Sequence, residues 1–577
     1  MSRVCIIFLS LVFSLTVKSQ SSQRPNIILI MTDDQGYGDF GFTGNPYVQT
    51  PTIDRLATEG TLFTNFYVSP VCAPTRSSLM TGKQSIRTGV YDTYNGGAIM
   101  DTKEITIAEM LVGQGYATGI FGKWHLGDTY PNRPSDQGFA QSLVHNAGGM
   151  AQVGDPNTYF KEKSYFDATL WKDNQRIETQ GYCSDVFTDA AIDFMGSNKN
   201  QPFFAYLAFN APHTPLEVPE SYYEKYKDQG LDEVAFVEKG YPVPPMTAKD
   251  REDARRVYAM VENIDDNIAR IIDKLEKDGL MDNTIIFFLT DNGPQQRRFT
   301  AGFRGTKGTV YEGGVRVPLI VYPRQSNLER INAPTAHMDI FPTIMAVCGL
   351  KYQHDIDGIS LTDLFENKPA KFESRIIYHH WTRGHLTPYQ NMAIRQGDYK
   401  LVGHADYDAK IQDFELFNLR EDPFEQKNLV MSHAQEAEKL KEKLDNWIQE
   451  EVWKITADPK IVIGSAEENP TILNRNDAKG QPGIWAQDQI YGYWDVEVAT
   501  SGYYSFDYFF LNPLPEKSKI RLNLKPIEYT RSIQTKEENN IKLSDLYIPA
   551  GRYRLETWCQ HSDGGYILPF SVEVSKK

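Results

Sequence analysis

The chain has 577 residues, of which 41% are hydrophobic and 23% are charged, and it carries a formal net charge of −15. This length predicts two or three domains, and the composition excludes a disordered chain or an integral membrane protein. The negative charge argues against a nucleic-acid-binding groove and against general attraction of a polyanion. An anionic substrate would therefore need a local cluster of cations.

Residues 1–19 have the pattern of a signal peptide. A positive Arg3 precedes an apolar stretch over residues 4–17, and Val17 and Ser19 are small residues placed as before a cleavage site. The stretch is too short to cross a membrane and no later apolar run reaches 18 residues, so we expect no membrane insertion. The sequence predicts export, giving a periplasmic or secreted protein.

Residues 20–374 predict an α/β domain with a mixed, mostly parallel sheet flanked by helices. Residues 26–31 and 284–289 are continuous apolar runs of strand length, which suit parallel strands covered on both faces. Between them, apolar residues over 257–275 recur at helical spacing, and a helix that leads into a buried strand is typical of α/β proteins. Such sheets bind ligands beyond the carboxyl ends of their strands.

Acidic and amide side chains follow both apolar runs. Asp33 and Asp34 come after the first run, and Asp291 and Asn292 come after the second. Three carboxylates and one amide oxygen suit a hard cation, chiefly Ca²⁺ or Mg²⁺. Either pair alone would fit a solvated strand end or a helix cap, but two pairs in equivalent settings favour a metal site.

Residues 375–459 predict a smaller α+β subdomain. Short strands are expected at 392–395, 399–402 and 414–417, and a charged amphipathic helix is expected at 434–451.

Residues 460–577 predict an appended, β-sandwich-like module, because their strands alternate with period two. Tyr491, Tyr493 and Trp494 look exposed in this pattern and could stack on sugar rings. The alternative is that these rings pack the core of the module or dock it on the main domain.

Residues 71–82 read Val-Cys-Ala-Pro-Thr-Arg-Ser-Ser-Leu-Met-Thr-Gly. This run resembles the signature of the type I, formylglycine-dependent sulfatases, which belong to the alkaline-phosphatase-like superfamily. In that family the Cys of Cys-x-Pro-x-Arg, here Cys72, is converted to Cα-formylglycine by a separate maturation enzyme, and the hydrate of the aldehyde is the nucleophile. The structural alternative is a buried Cys at the start of a helix. Cys183, Cys348 and Cys559 are too few for a disulfide framework, and any bridge among them stays open.

Other segments resemble further elements of the same family. Residues 115–127 are similar to its second signature, which implies that Lys123 contacts the sulfate and that His125 acts on the formylglycine hydrate. By the same resemblance, His213 contacts the sulfate and the leaving oxygen, and Lys307 bridges the sulfate and the leaving group. The resemblance implies a catalytic set of Cys72, Arg76, Lys123, His125, His213 and Lys307. It implies a metal, usually calcium, held by Asp33, Asp34, Cys72, Asp291 and Asn292.

Residues 379–385 are dense in histidine, arginine and aromatic side chains. We predict that they recognise the substrate, with Trp381 stacking on a sugar and Arg383 or a histidine meeting a second anion. A transition-metal site would need acidic or Cys ligands that the segment lacks, and a partly buried loop between subdomains is an equal alternative. The candidate substrate-binding residues are His379, His380, Trp381, Arg383 and His385.

Together these features predict an exported sulfatase acting on a sulfated poly- or oligosaccharide, resembling the bacterial carbohydrate sulfatases. Phosphonate monoester and phosphodiester hydrolases of the superfamily share Cys-x-Pro-x-Arg and stay open as an alternative. Cys72 argues against a two-zinc phosphatase with a Ser or Thr nucleophile. The intact set of candidate catalytic residues argues against a non-catalytic glycan-binding protein. The sequence does not determine the sugar, the sulfate position or endo versus exo action.

Overall fold

The computed structural model describes residues 24–577 apart from several short gaps. The gaps are residues 151, 153–154, 156–162, 232–239, 243, 385, 407, 455–456, 482, 485–488, 534–538 and 563. The predicted signal peptide and the candidate residue His385 therefore lie outside the described residues. Within the described part of the chain, no helix combines the length and the apolar character needed to span a membrane.

The first domain is built on one large mixed sheet. Its strands within the described residues are β1 Asn26–Thr32, β2 Thr61–Tyr67, β3 Ala117–Lys123, β4 Gln141–His145, β5 Thr169–Lys172, β6 Gln175–Glu178, β7 Phe203–Ala208, β8 Thr284–Thr290, β9 Arg316–Tyr322, β10 Arg330–Ile331 and β11 Thr335–Ala336. They follow the order β10-β2-β9-β8-β1-β7-β3-β4-β5-β6, with β11 also paired to β2. The central strands from β8 to β4 are parallel, whereas β9, β5 and β6 run antiparallel to their neighbours.

Helices cover both faces of this sheet. Successive side chains of a strand point to opposite faces, and since the central strands β1, β7 and β8 are largely apolar, both faces must be covered. The helices are α1 Pro51–Glu59, α2 Cys72–Thr81, α3 Ile107–Val112, α4 Cys183–Ser197, α5 Glu220–Tyr223, α6 Ala248–Lys277, α7 Glu312–Val315, α8 Ile340–Val347, α9 Thr362–Phe365, α10 Ala370–Glu373 and, further on, α11 Ala434–Glu450. Along β1, Ile28 and Ile30 pack with α1, α4 and α6, whereas Ile27 and Leu29 pack with α2, α3 and α8. The predicted α/β architecture is confirmed, and the apolar stripe over 257–275 lies within α6.

A smaller antiparallel sheet follows. Its strands are β12 Ile376–His380, β13 Met392–Gln396, β14 Tyr399–Gly403 and β15 Phe414–Asn418, in that order, and α11 packs on them. The strands expected at 392–395, 399–402 and 414–417 are β13, β14 and β15. The sequence did not predict β12. Residues 377 and 379 are the buried positions of this strand, and because residue 379 is a histidine, the alternation of apolar and polar residues is broken.

The C-terminal module, residues 460–577, consists of two β-sheets. Its described strands are β16 Ile461–Ile463, β17 Thr471–Asn474, β18 Lys479–Gly480, β19 Gly492–Val498, β20 Gly502–Phe509, β21 Lys519–Leu524, β22 Ile527–Ser532, β23 Asn540–Ile548, β24 Gly551–Gln560, β25 Tyr566–Ile567 and β26 Ser571–Lys576. One sheet has the order β16-β19-β24-β21-β22, with β18 also paired to β19 and β25 also paired to β24, and the other has the order β17-β26-β20-β23. The two sheets share one hydrophobic core.

The module packs tightly on the loop over residues 91–100 of the first domain. Tyr94 and Ile99 from this loop belong to the same buried hydrophobic cluster as the core residues of the module, Trp494 among them. Trp494 is fully buried and its indole N–H donates to the carbonyl of Asn474 at 2.7 Å. The expectation of an exposed Trp494 is therefore wrong, because the residue occupies an inward position of β19. Tyr491 keeps 36% of its surface exposed.

Candidate active site

The predicted site residues converge at the carboxyl ends of the central parallel strands. The register pairs Thr32 with Thr290, so Asp33 and Asp291, which follow these two threonines, start side by side. Lys123 ends β3, on the far side of β7 from these strands. The sheet therefore brings together polar groups that are far apart in the chain, such as Asp34 and Asn292, which are separated by 258 residues.

Oxygen atoms at this edge are buried without hydrogen-bond donors. Asp33 Oδ1, Asp34 Oδ2 and Asn292 Oδ1 have no partner among the described residues, and all three side chains are fully buried. Such atoms are costly to bury unless something satisfies them. One ligand atom each from Asp33, Cys72 and Asp291 lies within 4.8 Å of the others, as do ligand atoms of Asp33, Asp34 and His213. The carboxylate oxygens of these groups and the amide oxygen of Asn292 fit a hard divalent cation.

Three cations lie against the carboxylates, and the side chains of Lys123 and Arg76 are fully buried. Lys123 Nζ lies 2.5 Å from Asp33, and Arg76 Nη2 lies 2.8 Å from Asp291. Lys307 Nζ lies 2.6 Å from Asp34. Because each buried charge has an opposite partner, the cluster avoids the large penalty of an isolated buried ion.

The pKa values of the carboxylates diverge. Burial, and then the negative charge of Asp33, raise the pKa of Asp291 to about 7. Burial also acts to raise the pKa of Asp33, but Lys123, His213 and Arg76 outweigh it and hold that pKa well below its usual value. At neutral pH and without a further cation, Asp33 is therefore ionised and Asp291 is only partly ionised.

Cys72 is the first residue of α2, follows the extended residue Val71, and is only 2% exposed. Its Sγ lies 3.5 Å from Nδ1 of His125. Burial raises the pKa of the Cys72 thiol, so an unmodified Cys72 is poorly ionised and is a weak nucleophile. The described cysteines beyond the signal segment are all buried and free, and no disulfide joins them.

His125 faces Cys72 with a defined ring nitrogen. Its Nε2 lies 2.8 Å from the carbonyl oxygen of Thr93, which can only accept, so Nε2 carries the proton and Nδ1 is the acceptor. Burial and the charge of Lys123 hold the pKa of His125 well below its ordinary value. The imidazole is therefore neutral and able to take a proton from residue 72.

His213 lies in the loop after β7 with a similarly fixed ring. Its Nδ1 donates to the carbonyl of Thr214 at 2.7 Å, and its Nε2 lies 3.8 Å from Asp34 Oδ2. Burial, and then the charge of Lys307, lower the pKa of His213. Asp34 raises the pKa of Lys307 even though burial acts against it, so Lys307 stays positively charged.

The segment predicted to bind substrate divides into two parts. His379 is 3% exposed and packs against the ring of Tyr67, and His380 packs against Trp447. By contrast, the ring of Trp381 lies against Gly308, next to Lys307. Of the described part of the segment, only the region that begins at residue 381 adjoins the candidate site, through Gly308 and its neighbour Lys307.

Asp92 holds this adjoining region in place. Its fully buried carboxylate accepts from the indole of Trp381 at 3.1 Å, from Arg383 at 2.9 Å and from the backbone of Gly384 at 2.7 Å. The side chain of Arg383 is still 42% exposed. Sequence reasoning missed Asp92, because nothing in its local pattern indicates partners almost 300 residues away.

Two further buried groups were also missed. The guanidinium of Arg298 binds Asp39 and donates to the backbone carbonyl of Asp34 at 2.6 Å, which holds Asp34 at its positive φ of 63°. His145, at the end of β4, is buried, and neither ring nitrogen has a hydrogen-bond partner among the described residues. Neither Arg298 nor His145 lies in a recognisable motif, so the sequence alone does not indicate that they belong to the site.

Comparison with known proteins agrees with this geometry. Residues 25–350 match the sulfatase family, and residues 305–452 match the family described as N-sulphoglucosamine sulphohydrolase, C-terminal. The chain is 28% identical to an N-acetylglucosamine-6-O-sulfatase of Bacteroides thetaiotaomicron, over 82% of this chain and 93% of that protein. It is 30% identical to human N-acetylgalactosamine-6-sulfatase, over 59% and 66% of the two chains.

A solved structure, Ps i-CgsB in complex with k-i-k-neocarrahexaose, is similar with a TM-score of 0.63 and 27% identity, covering 76% of this chain and 95% of that one. The sulfatase match spans more than half of the chain and coincides with the domain that holds the catalytic cluster. The chain belongs to the sulfatase family and is a sulfuric ester hydrolase with the alkaline-phosphatase-like fold.

Proposed function

We propose that this sulfatase hydrolyses sulfate esters on a poly- or oligosaccharide, with Cys72 matured to formylglycine and with Ca²⁺ or Mg²⁺ at the acidic cluster. One observation carries the proposal. Cys72 Sγ lies 3.5 Å from the acceptor nitrogen of His125 and within 4.8 Å of ligand atoms of Asp33 and Asp291. The residues that the resemblance assigns as nucleophile, base and metal ligands therefore lie close together, which supports the proposal.

The chemistry of the thiol explains why maturation is needed. A buried thiol with a raised pKa is a poor nucleophile, and its attack on sulfur would leave a stable thiosulfate ester. Formylglycine supplies, as its hydrate, one hydroxyl to attack and a second to release the sulfate, which divides the reaction into two easier steps. The required partner is an enzyme that oxidises the Cys within Cys-x-Pro-x-Arg.

The surrounding side chains have separate tasks. Asp33, Asp34, Asp291 and Asn292, together with residue 72, would hold the cation, which would polarise the sulfate and the nucleophile. Lys123, Lys307 and His213 face the same space, where the two lysines neutralise sulfate oxygens and Lys307, which stays protonated, supplies the proton to the departing oxygen. His125 accepts the proton from residue 72 through Nδ1.

A carbohydrate substrate is supported by the relatives and by the entrance to the site. The similar proteins include sulfatases named for N-acetylglucosamine and N-acetylgalactosamine and a structure in complex with k-i-k-neocarrahexaose. Beside Lys307, Trp381 offers an aromatic ring and Arg383 offers a partly exposed cation. An aromatic ring with a nearby cation suits a sugar that carries a second anionic group. The pattern of residues 1–19 supports export as part of the same proposal.

A direct test compares two esters of one chromogenic alcohol, a sulfate and a phosphonate monoester, in parallel. Faster turnover of the sulfate by several orders of magnitude supports the proposal, and faster turnover of the phosphonate contradicts it. Sulfate release from a panel of sulfated glycans then identifies the sugar. If only small aryl sulfates react, the carbohydrate part of the proposal is wrong.

A further inference from the structure

A cleft of about 930 Å³ lies between the first domain and the C-terminal module. Trp171 and Arg176 line its wall on the first domain, and Phe509, Lys542 and Glu573 line its wall on the module. This volume is ample for a ligand of several sugar units. The cleft contains none of the metal-ligating or catalytic residues described above.

The cleft opens beside the catalytic groups. Residues 146–147, which directly follow His145 at the end of β4, line it. The next two residues are glycines that lie against the histidine rings. A side-chain carbon added at Gly148 would come within 3.0 Å of the ring of His125, and one added at Gly149 would come within 3.0 Å of the ring of His213. One short segment therefore both contacts the two histidines and lines the cleft. A polymer held in the cleft would lie close to the catalytic groups.

The lining combines apolar surface with hydrogen-bond acceptors. Trp171 and Phe509 supply partly exposed aromatic rings on opposite walls, and aromatic faces stack on apolar faces of ligands. The side-chain oxygen of Asn146 is buried and has no hydrogen-bond partner among the described residues. Carboxylates and amide oxygens accept from hydroxyl groups, so the lining suits a ligand rich in hydroxyl donors.

The charge of the lining is negative. Seven carboxylates face three cations, and two of the cations are already paired, Lys542 with Asp507 at 2.7 Å and Arg133 with Glu468 at 3.7 Å. Burial raises the pKa of Asp128 well above its usual value and that of Glu468 to about 7. Even with both of these protonated, carboxylates outnumber cations, so a sulfate group in the cleft would be repelled.

We infer that this cleft binds uncharged sugar units that flank the sulfated one, so that the enzyme selects sparsely sulfated chains. The inference rests on the proposed carbohydrate sulfatase activity and adds to it the pattern of substitution that the substrate must carry. Repulsion by the cleft would act against a chain in which every unit is sulfated, whereas the aromatic rings and acceptors would hold neutral units.

Binding of neutral sugars tests the cleft without any turnover. Chitohexaose and desulfated carrageenan and fucan hexasaccharides are titrated into the full chain by calorimetry. We expect at least one to bind, and Phe509→Ala to weaken that binding about fivefold, the size of one lost aromatic contact. Trp453→Ala, which removes a 67% exposed aromatic ring outside the cleft, is the matched control. Failure of all three sugars to bind, or equal weakening by both variants, overturns the inference.

Charge reversal tests the selection. Glu573 is an exposed residue of the cleft wall, and Glu528 is an exposed residue of the module's other sheet. The measured quantity is the ratio of kcat/KM for a singly sulfated hexasaccharide to that for a fully sulfated one. We expect Glu573→Lys to lower this ratio about fivefold. Glu528→Lys should leave the ratio unchanged. An unchanged ratio in Glu573→Lys refutes selection by charge. Binding of a neutral hexasaccharide without sulfate release from any glycan would instead contradict the proposed function and leave the cleft as a sugar site.

Discussion

The backbone carbonyl of Thr93 accepts a hydrogen bond from Nε2 of His125 at 2.8 Å, and this contact decides which ring nitrogen faces Cys72. The neighbours of Thr93 connect it to the rest of the molecule. Asp92 holds Trp381 and Arg383 at the entrance, and Tyr94 lies in the core of the C-terminal module. One loop thus joins His125, the proposed base, with the region proposed to bind substrate and with the module.

His125→Ala should lower kcat by about 10²–10⁴ with little change in KM, because a positioned base contributes this factor to proton transfer. Steady-state kinetics on an aryl sulfate measure the effect. His433→Ala, at an exposed histidine of the smaller subdomain, is the matched control and should be neutral. A large rise in KM with unchanged kcat would mean that His125 binds substrate and does not act as a base.

Residue 72 should be formylglycine in active protein. Conversion of the Cys side chain to the aldehyde lowers the mass of the peptide by about 18 Da, which tryptic mass spectrometry detects. Cys72→Ser should be inactive in a host whose maturation system does not process serine. Fully active protein with a quantitatively unmodified Cys72 would contradict the mechanism.

Removal of the cation should abolish turnover and lower stability, because three buried oxygens would lose their partner. At a free concentration one hundred times Kd, a bound cation adds about 2.7 kcal/mol to the free energy of unfolding. We therefore expect Ca²⁺ or Mg²⁺ to raise the Tm of chelated protein and to restore activity. Asn292→Ala should lose both responses, whereas Asp282→Ala, at an exposed acidic residue, should keep them. Full activity in protein shown by elemental analysis to be metal-free would exclude the site.

The sequence predicted the parts of the site that have local patterns. Apolar runs placed Asp33 and Asp291 at the ends of parallel strands, and a continuous motif identified Cys72 and Arg76. What the sequence could not supply are contacts that depend on the packing of distant segments. Asp92 and Arg298 look like ordinary surface residues until the loops fold over them, and both are buried in ion pairs.

The same limit applies to the C-terminal module. Period-two alternation predicted its strands, but alternation does not show which face of a strand is inward once two sheets pack on each other. Trp494 therefore looked exposed and is buried. Nor could alternation show that Tyr94 and Ile99 from another domain complete the core of the module, because they lie more than 360 residues before its first strand.

Deletion of residues 460–577 should reduce kcat even on a small aryl sulfate. Tyr94 and Ile99 would become exposed, which costs about 1.5–3 kcal/mol for each large apolar side chain, and the loop that positions His125 would lose its support. Tyr94→Ala is the milder variant and should lower kcat in the same direction, with Tyr503→Ala, at a 55% exposed tyrosine of the module, as its control. If the deletion variant is folded by circular dichroism and its aryl sulfatase activity is unchanged, the loop over residues 91–100 keeps its conformation without the module.

Asp477→Asn should stabilise the contact between the domains at alkaline pH. Asp477 is buried and Asp128 is half-buried, and Nδ2 of Asn474 lies 2.5 Å from Asp128 and 3.2 Å from Asp477. Burial raises the pKa of both carboxyls, and Asp477 further raises that of Asp128.

Since the folded pKa values exceed the unfolded ones, the folded protein binds more protons above about pH 4, and stability falls as the pH rises through the folded values. An amide at position 477 removes one of these protonation events and the repulsion between two carboxylates. We expect the Tm of Asp477→Asn to exceed that of the wild type by a few degrees at pH 8, for about 1 kcal/mol of repulsion relieved, and to differ little at pH 5. Asp545→Asn, at an exposed residue of the module, should show no such dependence. A difference in Tm that is the same at both pH values would mean that the two carboxyls do not titrate together.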